Sequence, residues 1–282
     1  MRIMIVGGTS SLAYALKPVL SSFAEVITAD LNGCDVKLNL TSPMDEIGIL
    51  DNIDVVINTA ASFGGADISE IVQTESVNVL GVMKLCGACK TANVGRLVQI
   101  SSIFACLDTA SPFYTVYSLS KRHSEEAAQL CCSKLGLPLA VLRPAQFYGV
   151  GERYRKSQPF LFSMMDKAEK NEDIVIYGSN DAARNFIHVE DVAKIVALVA
   201  QQGIEGVYSC TNTANVTFSE MAAAAVRAFA SKSTISFAKD KPDVPDNVFE
   251  LDDTLFRLIG YYPQIDIAAG MAKEANYRRT HT

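Results

Sequence analysis

A doubly wound, parallel α/β sheet carrying a small lobe woven from later segments is the fold predicted for this 282-residue sequence. Three observations predict it. Short β-branched runs alternate with longer stretches of helical apolar spacing, the pattern of right-handed βαβ units. The first run passes straight into a glycine-containing turn and then a helix. The second half is less regular, with no internal repeat and no Ser/Gly linker, so a second lobe must be interwoven with the first. At roughly 150 residues per domain the length corresponds to two domains or one large one.

The elements follow in order. Arg2–Val6 reads as a strand, not a signal peptide, and leads through Gly7-Gly8-Thr9-Ser10-Ser11 into a helix that Pro18 should kink or shorten. Residues 25–29 form a second strand ending at Asp30, and residues 36–39 and 55–58 form two more. Residues 68–92 predict one long helix, 96–100 a strand ending in Ser101-Ser102, 116–135 a second long helix, and 139–143 a strand stopped by Pro144. Beyond it, 160–170 is helical, 174–177 extended and 191–201 helical, and residues 217–220 make a capping box that opens an Ala-rich helix. Residues 1–145 and 180–208 are expected to form the larger domain, and 146–179 and 209–282 the small lobe.

Composition excludes several classes. Apolar residues make up 49%, the net charge is −6, and no block of Lys or Arg exists, which argues against nucleic acid and anionic membrane as partners. No apolar run approaches the ~18 residues of a membrane span. The seven cysteines are odd in number and scattered, the usage of a reducing, cytoplasmic compartment. Cys86 and Cys89 form a C-x-x-C, but Cys131 and Cys132 are adjacent, so no second pair has zinc spacing; buried or idle thiols are the expectation, and no metal site is visible.

Two patterns carry chemistry. Gly7, Ser10 and Ala13 stand at the three positions of a G-x-x-G-x-x-G turn, where backbone and helix N-terminus can approach a pyrophosphate. Ala suits the third position, whereas Ser10 adds a side chain where the diphosphate would lie; taken alone this is close to an ordinary βα turn. Asp30 lies 23 positions after Gly7, near the offset of a ribose-binding acid. Such a carboxylate accepts from the ribose hydroxyls and repels a 2′-phosphate, favouring NAD over NADP; the alternative is an Asp that merely opens a turn with Asn32-Gly33. Tyr117 and Lys121 form Y-x-x-x-K, which puts phenol and ammonium on one helix face, where the cation should lower the phenol's pKa. A bare Tyr–Lys pair of this spacing is otherwise a solvated surface pair.

The order of motifs resembles the extended short-chain dehydrogenase/reductases, specifically the NAD-dependent epimerase/dehydratase family of nucleotide-sugar enzymes. Asn39-Leu40 match the segment flanking adenine, DVVINTAA (54–61) the strand lining the dinucleotide, and NVLG (78–81) the helix after it. RLVQISS (96–102) matches the strand bearing the family's catalytic Ser/Thr, and LRPAQFYG (142–149) the turn into the substrate lobe. Residues 177–193 match a C-terminal signature with Arg184 at a phosphate-holding position, and FRLIGYYPQIDIAAGMAKEA resembles the closing helices. The resemblance implies a Rossmann domain with a small substrate lobe and catalysis by Ser102, Tyr117 and Lys121. It implies NAD contacts from Gly7, Thr9, Ser10, Ser11, Leu12, Asp30, Asn39, Leu40, Thr59, Ala60, Ala61, Asn78, Ser101, Tyr117, Lys121 and Pro144. A nucleoside-diphosphate sugar would meet Ser102, Tyr117, Gln146 and Arg184. Departures are Ser10, the short stretch from Ser102 to Tyr117, Cys106-Leu107 in place of an aromatic-Gly element, and Gln146 where Asn is frequent.

Ile103 and Phe104 stand where dehydratases of the family carry an acid pair, and the decarboxylase acid is also missing. Cys106 does not align with the cysteine of the epimerase/reductases, and His123 and His188 read as packed or solvated residues. What remains is a 4-epimerase retaining NAD, which Asp30 and LRPAQFYG favour, or a 4-keto-sugar reductase; a non-catalytic dinucleotide sensor is a further alternative. Arg153, Arg155 and Lys156 meet a substrate diphosphate or simply form an exposed loop. The two long helices form a homodimer interface in many relatives, and their apolar stripes equally suit packing on the sheet.

Overall fold

The structure, a computed structural model, describes residues 1–281. In chain order the elements are β1 (Arg2–Val6), α1 (Ser11–Leu20), β2 (Glu25–Asp30), β3 (Val36–Lys37), β4 (Val55–Asn58), α2 (Ile68–Glu75), α3 (Gly81–Thr91), β5 (Arg96–Ile100), α4 (Val116–Leu135), β6 (Leu139–Pro144) and β7 (Gln146–Tyr148). They continue with α5 (Glu152–Arg155), α6 (Pro159–Lys170), β8 (Ile174–Tyr177), β9 (Ala183–Arg184), β10 (Phe186–His188), α7 (Val189–Gln202), β11 (Gly206–Cys210), β12 (Val216–Thr217), α8 (Phe218–Ala228), β13 (Ile235–Ala238), α9 (Thr254–Ile259) and α10 (Ile267–His281).

Seven strands form one sheet in the order β11-β6-β5-β4-β1-β2-β3, and every neighbouring pair is parallel. The strand order reverses between β1 and β4, so the loops after both strands diverge at the carboxyl edge and leave room for a ligand. Strands covered on both faces must be apolar throughout, and β1, β4 and β5 are buried along almost their whole length. One face packs on Leu85, Cys86 and Cys89 of α3 and Ala128 and Cys132 of α4, so the C-x-x-C thiols are core side chains.

The chain divides into two compact units. One comprises residues 1–144, 193–210 and 254–261; the other comprises 145–192, 211–253 and 262–282. Residues 180–192 therefore cluster with the smaller unit, because β9 pairs with β12 and β10 with β7. Residues 254–261 join the larger one, where Gln202 donates to Ile259 O at 3.2 Å.

Three local expectations change. The long helix over 68–92 is instead α2, a π-helical turn (Ser76–Leu80) and α3. The strand over 36–39 shortens to Val36–Lys37, because Asn39 turns to accept from Thr41 N and Oγ1 at 3.0 and 2.8 Å. Pro18 sits in the last turn of α1 without breaking it.

The smaller unit rests on a charge cluster. Arg278 on α10 binds Glu274, Asp166 and Glu169 at 2.8, 2.9 and 2.6 Å, and buried Glu274 also accepts the Gly151 N–H at 2.7 Å. Arg155 binds Asp166 and Glu152, so this member of the basic run serves as a structural cation. Arg278→Ala would leave the Glu274 carboxylate buried without its cation and should cost roughly 3 kcal/mol, measured as a fall in urea midpoint.

Candidate active site

At the carboxyl end of β1 the backbone of Gly7 has φ +80°, and a Cβ there would lie 2.4 Å from Ala60 N, so only glycine fits. Gly7 and Gly8 N–H groups both donate to Ala29 O, at 2.9 and 3.1 Å, closing the turn over β2. Ser10 has φ −64°, which needs no glycine. Its Oγ caps α1 by accepting from Ala13 N at 3.0 Å and lies 2.9 Å from Thr59 Oγ1. Ser10 therefore serves as an N-cap at a position where glycine is usual. The turn remains a cradle at a helix N-terminus, backed by Thr59 and Ala60, and fits an anionic diphosphate.

Asp30 stands at the end of β2. Its Oδ2 accepts from Thr9 N and Oγ1 at 3.1 and 2.6 Å, and its Oδ1 accepts from Leu31 N at 2.7 Å. The carboxylate thus anchors the glycine turn through Thr9. Two carboxylate oxygens offer about four acceptor sites, so capacity for a ribose hydroxyl remains. Leu40 is buried, and a Cβ on Gly81 would approach Leu40 Cβ at 2.8 Å, which explains that glycine. Ser11 and Leu12 open α1, Ala61 follows Ala60 in the β4 loop, and Pro144 ends β6.

The chemistry-bearing groups meet at the ends of β5 and α4. Ser102 caps a short 3-10 turn (Ile103–Cys106), accepting from Phe104 N at 3.2 Å. Arg122 on α4 donates to Ala105 O at 3.0 Å and to Leu107 O, which pins this stretch. Tyr117 lies in the first turn of α4, where the Ser102 hydroxyl favours its phenolate form. Lys121, one turn on and only 2% exposed, has its Nζ 5.7 Å from the Tyr117 ring centroid and donates to Ile100 O at 3.0 Å. A further turn on, buried Glu125 accepts from Ser101 Oγ at 2.5 Å and from Arg143 Nε at 2.9 and 3.0 Å.

Electrostatics overturn one expectation. Tyr117 as a residue is partly exposed, yet desolvation of its phenol pushes the pKa up to about 12, against the Ser102 bond that favours phenolate. In the protein alone the shift runs opposite to the one expected from Lys121, because burial of the phenol dominates. Lys121 itself is pushed down to about 8 by burial, opposed by Glu125. At neutral pH the resting pair is a neutral phenol beside an ammonium.

Asn78, expected at the cofactor, is a latch: its Oδ1 accepts from Ser62 N at 2.8 Å, and its Nδ2 donates to Ser62 O and Ser120 Oγ at 2.8 and 2.9 Å. The π-helical turn aims it there. No local sequence signal marked the Glu125–Arg143 pair or Phe63, whose ring stacks on Tyr117 at a centroid distance of 5.2 Å. In the smaller unit, Gln146 opens β7, and Arg184 donates to Ala183 O and Pro245 O at 2.8 and 2.9 Å over the Phe218 ring. His123 pairs with Glu75, and His188 is fully buried, its Nδ1 accepting from Glu190 N at 3.3 Å. Among the described residues no cluster of His, Cys, Asp and Glu could hold a metal, and no helix is long and apolar enough to cross a membrane.

Comparison with known proteins agrees with this layout. The profile of the NAD dependent epimerase/dehydratase family matches residues 4–210. The chain is 25% identical over 249 residues to the dTDP-4-dehydro-6-deoxy-D-allose reductase of Streptomyces bikiniensis, covering 82% of this chain and 76% of that relative. Among solved structures, the UDP-N-acetylglucosamine 4-epimerase of Bacillus cereus superposes with a TM-score of 0.81 at 20% identity, covering 99% of each chain. The UDP-glucose 4-epimerase of Thermus thermophilus, solved in complex with NAD, gives 0.74 at 20% identity over 100% of each chain.

Two side chains of the site carry measurable consequences for stability. Ser10→Ala should lower stability by about 1 kcal/mol through loss of the cap, and Ser10→Gly by only a few tenths, read from thermal melts. Lys121 carries its ordinary 10.5 when unfolded and about 8 when folded. Its burial penalty is therefore complete below pH 8 and is relieved as pH rises towards 10.5, where the unfolded chain binds the extra proton. Between pH 7 and pH 10 the stability of wild type relative to Lys121→Met should rise by about 2 kcal/mol, measured by chemical denaturation at each pH.

A family profile spanning most of the chain places this protein in the NAD dependent epimerase/dehydratase family.

Proposed function

We propose that the protein is an NAD-dependent nucleoside-diphosphate-sugar 4-epimerase acting through a 4-keto sugar. The single observation that carries this reading is Ser102, Tyr117 and Lys121 gathered at one strand edge, followed by Ile103 and Phe104, which cannot transfer protons. Epimerisation needs one acid/base at one oxygen and no further acid for elimination. The fold it shares with 4-epimerase structures supports the same reading.

In this reading the larger unit binds NAD and the smaller one the sugar nucleotide. The Gly7–Leu12 turn receives the diphosphate, Asp30 the ribose hydroxyls, Asn39 and Leu40 flank the adenine, and Thr59–Ala61, Ser101 and Pro144 line the dinucleotide. Asn78 shapes the wall by holding Ser62 and Ser120. Asp30 favours NAD over NADP by repelling a 2′-phosphate. Bound NAD supplies the hydride acceptor and a positive charge near the phenol. Tyr117 takes the proton from the sugar hydroxyl and returns it to the same oxygen. Ser102 hydrogen-bonds that oxygen and favours the phenolate, and Lys121 stabilises it electrostatically. Gln146 and Arg184 contact the substrate nucleotide.

A 4-keto-sugar reductase is the second reading, favoured by the similarity to the Streptomyces bikiniensis reductase. The exposed apolar side chains of Ile68, Val72, Leu80, Met83 and Leu130 on α2–α4 support a homodimer, and seven free thiols support a cytoplasmic setting.

The test is product analysis on nucleoside-diphosphate sugars and their 4-keto forms, with and without NADH. Isomer formed without added cofactor is the expected result; reduction only with NADH would establish the reductase, and NAD binding without any conversion the sensor. Tyr117→Phe should lower turnover by about 10²–10⁴-fold while NAD affinity stays within about twofold.

A further inference from the structure

Phe63 is a large aromatic residue that is 72% exposed, yet its position is built rather than incidental. Its ring lies on Tyr117 with centroids 5.2 Å apart and an interplanar angle of 21°. The backbone on both sides is fixed. Before it, Ser62 exchanges two hydrogen bonds with Asn78, both at 2.8 Å, and its hydroxyl lies 3.1 Å from Thr74 Oγ1. After it, Gly64 has φ +85°, and a Cβ there would fall 2.1 Å from Cγ1 of Val116, the neighbour of Tyr117. Beyond Gly64, Glu70 accepts from Ala66 N at 2.9 Å, and a Cβ on Gly65 would strike its carboxylate at 1.9 Å. Asn78 also binds Ser120, whose hydroxyl donates to Tyr117 O at 3.0 Å. Loop and helix are therefore latched together, and the latch holds the ring with one face on the tyrosine and the remainder exposed.

An apolar face held in water beside a proton-transferring phenol is stabilised by whatever covers it, since burying it removes apolar surface from water. On the reading above, the group that reaches the Tyr117 hydroxyl is a sugar ring. A pyranose has a C–H-lined face, poor in hydrogen-bonding groups, that matches an aromatic ring. We propose that Phe63 is a specificity-determining residue that packs against the C–H face of the substrate hexose and positions it at Tyr117. The inference rests on the sugar-nucleotide reading. It goes further in separating the sugar contact from the nucleotide contact and giving it to one side chain outside the Ser-Tyr-Lys set.

The test compares ligands that differ only by the sugar. NAD-saturated wild type, Phe63→Ala and Phe63→Tyr are titrated calorimetrically with UDP-glucose, UDP-N-acetylglucosamine and dTDP-glucose, and with UDP and dTDP. In Phe63→Ala the sugar nucleotide bound by wild type should weaken by about five- to tenfold, with the matching nucleoside diphosphate and NAD unchanged within about twofold; Phe63→Tyr, which keeps the ring, should restore binding. Unchanged sugar-nucleotide affinity in Phe63→Ala overturns the proposal, as does equal weakening of the sugar nucleotide and the free diphosphate. If wild type binds none of the sugar nucleotides, the functional reading itself fails and this inference falls with it, an outcome distinct from the other two.

Discussion

A helix that buries polar side chains must find a partner for each of them, and that constraint governs α4. Ser118, Ser120, Lys121, Ser124 and Glu125 are all buried on this one helix. Left unpaired, each would cost on the order of 1–3 kcal/mol or more, the charged ones most. Thr115 N at the helix cap serves Ser118, and the others find partners off the helix: Asn78 for Ser120, Gln99 and Ile100 O of β5 for Ser124 and Lys121, and Ser101 with Arg143 for Glu125. Satisfying them together leaves α4 little freedom to rotate or slide. Tyr117, on the first turn, inherits that rigidity, and so does its distance from the end of β5.

The same burial sets the electrostatics. Desolvation holds the phenol neutral and brings Lys121 close to losing its proton, while Glu125 pulls the lysine back towards the charged form. Arg143 offsets the Glu125 charge through paired hydrogen bonds. The resting site therefore stores its proton on the tyrosine. Positive charge and hydrogen bonds at the phenol oxygen are what would shift that balance, as the proposed acid/base role of Tyr117 requires.

The glycine turn shows a second way of meeting one need. Where a second glycine would leave the helix end open, Ser10 closes it with its own hydroxyl and ties it to Thr59. Gly7 cannot be replaced in this way, because Ala60 backbone occupies the space a Cβ would need. The turn thus tolerates a side chain at one position and not at the other for purely steric reasons.

Strand–helix alternation, the chirality of βαβ units and the spacing of Tyr117 and Lys121 depend on local periodicity, so the sequence by itself determined the parallel sheet and which residues share the face of α4. The sequence also marked Asp30 through its offset from Gly7, and Ser102 through the resemblance of its strand to the family's. Only the tertiary structure decided what each group experiences. Asp30 turned out to anchor Thr9 and Leu31, Asn78 to latch Ser62 to α4, and the helix over 68–92 to contain a π-helical turn that aims Asn78. The direction of the Tyr117 shift, opposite to that expected from Lys121 alone, reflects desolvation by the whole surrounding fold. Phe63 became visible only when its ring met Tyr117, 54 positions away. Periodicity is written along the chain, whereas burial and long-range pairing exist only once distant segments are packed together.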